Sequence, residues 1–190
     1  MRLFVAVDLP GAVKESLDAA LAPLRAALPR ARWVQPELFH LTLAFLGETD
    51  AGRLPALSRA LREKLEQEGG FRAHFGGFGA FPNAGAVRVV WIGLEPSVRF
   101  VRLAELVQDG IRTAGCSSDP KPFRSHVTLA RCDPPWAPHL RQESAAAADS
   151  LGDRLAGQSF ACDRVTMFSS KLGSGGPVYG VEDLIPLQAP

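Results

Sequence analysis

Two short segments carry residues able to do acid–base chemistry. FHLTLAFLG holds His40 and Thr42, and RSHVTLAR holds His126 and Thr128, so two of the four histidines are each followed two positions later by a threonine. In an extended strand, residues i and i+2 point to one face, about 6.6 Å apart. His40 and Thr42 therefore share a face, with Ala44 next along it, while Leu41, Leu43 and Phe45 oppose them. In the second segment His126, Thr128 and Ala130 share a face, and Val127 and Leu129 oppose it. The apolar sides anchor each strand in a core, and the small Ala44 and Ala130 leave room for a ligand. Two imidazoles facing one cleft offer a neutral and a protonated ring near neutral pH, because the unperturbed pKa is about 6.5. A displacement at phosphorus needs that pair: a base for the attacking oxygen and an acid for the leaving one. The two hydroxyls suit non-bridging phosphoryl oxygens.

Neither a metal nor another cofactor is required by this chemistry, and the chain has no HExxH spacing or carboxylate cluster. A zinc site built on His40 and His126 would need a third ligand and an outer shell that the sequence does not offer. His74 in a Phe-rich strand and His139 beside prolines read as structural or surface residues.

Each motif sits inside the same succession of elements. Leu3, Val5 and Val7 alternate with Phe4, Ala6 and Asp8 as a strand. Val13, Leu17, Leu21, Leu24 and Leu28 follow at helical spacing, with Pro29 as a stop. A strand from Phe39 to Leu46 carries the first pair. Asp50 caps a helix with Pro55 in its first turns, Gly69-Gly70 ends it, and Phe71, Ala73 and Phe75 open another strand. The second half repeats the order: a strand from Val87 to Leu94, a helix through Leu103, Val107 and Ile111, and a strand from Arg124 to Arg131 with the second pair. An Ala-rich helix from Arg141 to Leu155 follows, then strands from Phe160 to Phe168 and Val178 to Leu187. His40 lies about twelve residues beyond its helix end and His126 about eleven beyond its own, a two-unit echo rather than a solenoid. The expectation is one domain spanning 1–190, with half-repeats 1–80 and 86–190 related by an approximate two-fold axis. The run from Gly76 to Gly85 is the expected crossing between them.

Composition bounds the rest. The 190 residues are 46% hydrophobic and 22% charged, with a formal net charge of +1, so no wide nucleic-acid surface is predicted, only a small site for a few phosphates. Cys116, Cys132 and Cys162 are odd in number without CxxC spacing and read as free thiols of a reducing cytoplasm. MRLFVAVDLP reaches an acidic residue and a proline too early for a signal peptide, and no apolar run approaches the roughly twenty residues of a membrane span. A cytoplasmic monomer is expected.

At the twin motifs the sequence resembles the 2H phosphoesterase superfamily, and within it the RNA 2′,3′-cyclic phosphodiesterases, also called 2′-5′ RNA ligases. The similarity runs through MRLFVAVDLP, WVQPELFHLTLAFLGE, GFGAFPNAGAVRVVWIGLEP, KPFRSHVTLAR and SSKLGSGGPVYGVEDLIPL. It departs at Ala44, where many relatives carry a basic residue. The resemblance implies an α+β fold of two antiparallel-sheet lobes with outer helices, and an active-site cleft between them. The implied substrate is an RNA end (tRNA fragments included) or a small cyclic nucleotide bearing a 2′,3′-cyclic phosphate, and the implied product is a 2′-phosphate. His40 then serves as proton donor, His126 as proton acceptor, and Thr42 and Thr128 bind phosphoryl oxygens. Reversal, with an RNA 5′-hydroxyl, would give ATP-independent 2′-5′ ligation. Further substrate contacts are expected from Phe4, either as a base platform or as core, from Arg124 and Arg131 flanking the second motif, and from Tyr179 after a glycine turn. A non-catalytic module binding nucleotides or RNA ends on the same scaffold is the alternative.

Overall fold

The computed structural model describes residues 1–28, 31–82, 85–136, 151–173 and 176–189. The described strands are β1 (Arg2–Asp8), β2 (Arg32–Trp33), β3 (His40–Glu48), β4 (Phe71–Phe81), β5 (Val87–Glu95), β6 (His126–Trp136), β7 (Ser159–Cys162), β8 (Arg164–Gly173) and β9 (Gly176–Pro186). Helices are α1 (Gly11–Ala20), α2 (Ala22–Ala27), α3 (Leu54–Leu65) and α4 (Ser97–Thr113), and 151–155 is helical. Pro29, His139 and most of the helix expected from Arg141 lie outside the described residues. The single helix expected from Val13 to Leu28 is two, α1 and α2, because Pro23 has no N–H for the fourth carbonyl back and its ring crowds the preceding turn. Asp50 accepts from the Gly52 N–H and opens a short 3-10 turn ahead of α3, whose first turn holds Pro55.

The sheet runs β7-β4-β5-β6-β3-β1-β8-β9, with β2 beside β6. It divides into two antiparallel lobes, β7-β4-β5-β6 and β3-β1-β8-β9, which meet in register at one pair, Leu41 opposite Val127. The two lobes match position by position. Ala6, Val7 and Asp8 lie opposite Thr42, Leu41 and His40, just as Trp91, Ile92 and Gly93 lie opposite Thr128, Val127 and His126. Exchanging the lobes carries Leu41 onto Val127, so the approximate two-fold axis passes through that pair.

The lobes are not the two halves of the sequence. Gly76 to Phe81 continue β4, which pairs with β5 through Phe78–Ile92 and Phe81–Val89, so the chain crosses before β4, not in the run expected for it. The strand expected from Phe160 to Phe168 breaks at Asp163, where β7 edges β4 and β8 joins β1 in the other lobe. One residue spans that change, so the sheet must curl until its outer parts approach. The Leu187 N–H donates to Asp163 O at 2.8 Å, and the Gly70 N–H donates to Gln188 O at 2.7 Å, closing the curl.

One face of the sheet is the core. Leu3, Val5, Leu41, Val90, Ile92 and Val127 bury against helix residues Leu17, Leu57, Leu61, Phe100 and Val107. Full burial of each such side chain contributes about 1.5–3 kcal/mol. The other face carries the histidines and a separate small cluster of Phe4, Ala6 and Phe168. Helices on one side and a site on the other give the α+β two-lobed fold expected.

On the site face, Gly79 lies opposite Trp91, and a Cβ there would sit 2.2 Å from the indole. The ring is also held by Phe81 at 5.2 Å and by His126 at 6.1 Å between centroids. Gly79→Ala must therefore push the indole aside. The expected cost is about 1–3 kcal/mol in denaturant unfolding, with a changed tryptophan emission; an unaltered midpoint would contradict this packing.

Candidate active site

Each catalytic candidate is held by the segment that precedes it. Leu38 closes a short 3-10 turn, Pro36–Leu38, and its carbonyl lies 2.7 Å from His40 Nδ1. The carbonyl of Arg124 lies 2.7 Å from His126 Nδ1. A carbonyl only accepts, so Nδ1 carries the proton in both rings and Nε2 is the nitrogen left for chemistry. His40 Nε2 lies 3.1 Å from Thr42 Oγ1. The same anchor, a carbonyl two residues upstream, serves both halves.

His40, Thr42, His126 and Thr128 all line one cavity of about 700 Å³ between the lobes. The structure thus brings the four motif residues together, as the twin spacing predicts. A second cavity of about 580 Å³ adjoins His40, lined by Asp8, Gln35, Glu37, Pro177 and Tyr179 among others. Among the described residues no group of three or more His, Cys, Asp or Glu converges to hold a metal ion.

Matching β-bulges alter the faces beyond each threonine. The register skips a residue between Val5 and Ala6 against β3, and between Val90 and Trp91 against β6, so Leu43 and Leu129 are the extra residues. A bulge shifts the alternation by one. Ala44 and Ala130, expected along the polar face, are buried in the core, and Phe45 and Arg131 line the cavity instead. Phe45, expected to anchor the strand, is therefore a cleft residue. No local sequence signal marks the bulges.

The flanking candidates separate. Arg131 lines the cavity. Arg124 lies with its guanidinium 5.5 Å from the Phe81 ring centre and 5.9 Å from that of Trp91, stacked beside His126. Phe4 is 3% exposed, with rings of Phe168 and His40 at 5.1 and 5.0 Å and the edge of Tyr179 at 4.9 Å. It borders the cavity, but with its faces occupied it also backs the His40 ring as part of a small aromatic core. Tyr179 lines the cavity and meets His40 edge-on at 5.5 Å. Arg2, overlooked in the sequence, also lines the cavity; the alternation of β1 already sets it on the face of Phe4 and Ala6.

Burial pushes the His40 pKa below 6.5; the Leu38 carbonyl and Asp8 oppose this, while Lys14 and His126 add to it. Burial likewise lowers His126, with the Arg124 carbonyl opposing and the charges of Arg124 and Arg131 adding. The charge of His126 is felt at His40, as a shared site requires. Asp8 stands opposite His40 in register, where His126 has Gly93, and Lys14 pairs with Asp8 at 2.7 Å.

Comparison with known proteins places these features in a family. The sequence profile of the 2′-5′ RNA ligase superfamily matches residues 12–173. An Archaeoglobus fulgidus protein named RNA 2′,3′-cyclic phosphodiesterase is 39% identical over 131 residues, covering 69% of this chain and 72% of that protein. The crystal structure of TT0787 from Thermus thermophilus superposes with a TM-score of 0.78 at 31% identity, covering 100% of this chain and 99% of that one. E. coli LigT complexed with 3′-AMP gives a TM-score of 0.72 at 28% identity, covering 98% of this chain and 97% of that one. With the profile spanning most of its length and both His-x-Thr strands facing one cavity, the chain belongs to the 2′-5′ RNA ligase superfamily.

Proposed function

We propose that this protein hydrolyses the 2′,3′-cyclic phosphate of an RNA end, or of a small nucleotide, to a 2′-phosphate without a metal ion. The observation that carries the reading is the pair of imidazoles whose Nδ1 atoms are both spent on backbone carbonyls, beside two threonines in one cavity. The names of the relatives give the substrate class.

In the proposed reaction His126 Nε2 takes a proton from water as the water oxygen bonds to phosphorus. The P–O3′ bond breaks, and His40 Nε2–H delivers its proton to O3′. Thr42 and Thr128 hydroxyls donate to the non-bridging oxygens, where negative charge gathers. Before substrate arrives, His40 Nε2 and Thr42 Oγ1 are hydrogen-bond partners at 3.1 Å; the cyclic phosphate replaces each as the other's partner. Arg131 adds a cation on the cavity wall. Proton exchange with solvent resets both rings. The same steps reversed, with an RNA 5′-hydroxyl attacking the cyclic phosphate, join ends through a 2′-5′ link.

Charge supports the direction of proton flow. Asp8 favours a protonated His40, whereas Arg124 and Arg131 both disfavour a protonated His126. These charges bear in opposite senses on the two rings, in keeping with His40 as the acid and His126 as the base.

Three outcomes are expected. Incubating the protein and excess EDTA with an oligonucleotide ending in a 2′,3′-cyclic phosphate should yield a 2′-phosphate; a 3′-phosphate, or dependence on metal, would refute the scheme. Because both histidine pKa values lie below 6.5, the singly protonated pair is most populated on the acid side of that value. A bell-shaped kcat/KM profile should peak below pH 6.5, falling at lower pH as His126 is protonated and at higher pH as His40 loses its proton. His40→Ala and His126→Ala should each cost about 10²–10⁴-fold, and the double variant little more than either, since the two act as a unit. Multiplying losses would mean independent roles.

A further inference from the structure

We propose that the cleft contains a second phosphate site, formed by Arg2, Ser170 and Tyr179 on one wall and Arg131 on the other, which takes the phosphate on the 5′ side of the terminal nucleoside. This rests on the reaction proposed above and specifies its substrate as the end of a chain rather than a bare cyclic nucleotide.

The site follows from register. Arg2 lies opposite Ser170 across β1–β8, and Ser170 lies opposite Tyr179 across β8–β9, so three donor side chains stand in one lateral row. All three line the cavity that holds His40 and Thr42. The row is four residues along β1 from Ala6, the partner of Thr42, and so about 13 Å from the threonine. Arg131 reaches the same cavity from the other lobe, at the position two-fold related to Phe45, since Phe45 pairs with Phe4 as Arg131 pairs with Val89.

Charge at this end of the cleft is uncompensated. Arg2 faces Glu48 in register, yet no ion pair joins them, and Arg2 lies over the Phe45 ring at 5.5 Å instead. Asp133 is paired with Arg32 at 3.4 Å and Asp119 with Lys121 at 2.8 Å. Among the described residues neither Arg2 nor Arg131 forms an ion pair; both line the cavity with Tyr179, and their charges oppose the upward push that burial gives its phenol. Two free guanidiniums and two hydroxyls in a chain of formal net charge +1 match one phosphate group rather than a general polyanion surface.

Calorimetry decides this without relying on turnover. Wild-type protein should bind adenosine 3′,5′-bisphosphate about tenfold or more tightly than 3′-AMP. In Arg2→Gln the ratio should collapse to about one, and Arg2→Lys, which keeps the charge but not the fork, should retain part of it. Arg2 is exposed, so the variant keeps its fold. For turnover, kcat/KM on a dinucleotide ending in a cyclic phosphate should lose about 0.7 of its log–log salt slope in Arg2→Gln. Equal affinities in wild type, or a ratio unchanged by Arg2→Gln, would overturn the second site. Absence of turnover with the ratio intact would sink the reaction alone.

Discussion

The site depends on one contact, the pairing of Leu41 with Val127 where the two lobes meet. Neighbouring residues in a strand point to opposite faces, so fixing these two side chains in the core turns His40 and His126 onto the other face. Both histidines begin their strands, and both strands begin at the joint. An antiparallel pairing at that point brings the two imidazoles together from opposite directions, as an in-line displacement needs. A slip of one residue by either strand would turn its histidine to the helix-covered face. Burial of Leu41 and Val127 in the core shared with α3 and α4 makes such a slip costly.

Two features near the joint are duplicated and two are not. The carbonyl two residues ahead of each histidine fixes the tautomer, and the bulge beyond each threonine redirects the next side chains. Backbone hydrogen bonds and backbone register do this work, which is why side-chain identity can diverge around it. The halves differ in charge and in aromatic packing. His40 stands against a closed cluster of Phe4, Phe168 and Tyr179 with Asp8 in register, whereas His126 stands against Phe81 and Trp91 with Arg124 stacked on them. A symmetric backbone with asymmetric surroundings thus gives two identical imidazoles different environments.

The lobes also exchange strands. β4 leaves the first half to pair with β5, and β8 leaves the second to pair with β1. Each lobe therefore contains chain from both halves, and neither half could bury its own sheet. The ties at Asp163, Gly70 and Gln188 then hold the curl closed at a distance from the chemistry. Rigidity of the cleft is thus a property of the whole chain, and the histidine spacing inherits it.

The sequence alone determined the parts whose rule is local. Alternation over Leu3–Asp8 and over each motif gave strands with a polar face, helical spacing gave α3 and α4, and the repeated His-x-Thr pair marked the four cavity residues. Even Arg2 was legible, since it shares parity with Phe4 and Ala6. Tertiary structure decided what a period of two does not carry. A bulge needs a partner strand against which to insert its extra residue, so the exchange of Ala44 for Phe45 and of Ala130 for Arg131 at the cleft arises only on pairing. Phe4 became a support for His40 because Phe168 and Tyr179, distant in sequence, cover it. The break at Asp163 was likewise set by the curl of the sheet, which no local pattern encodes.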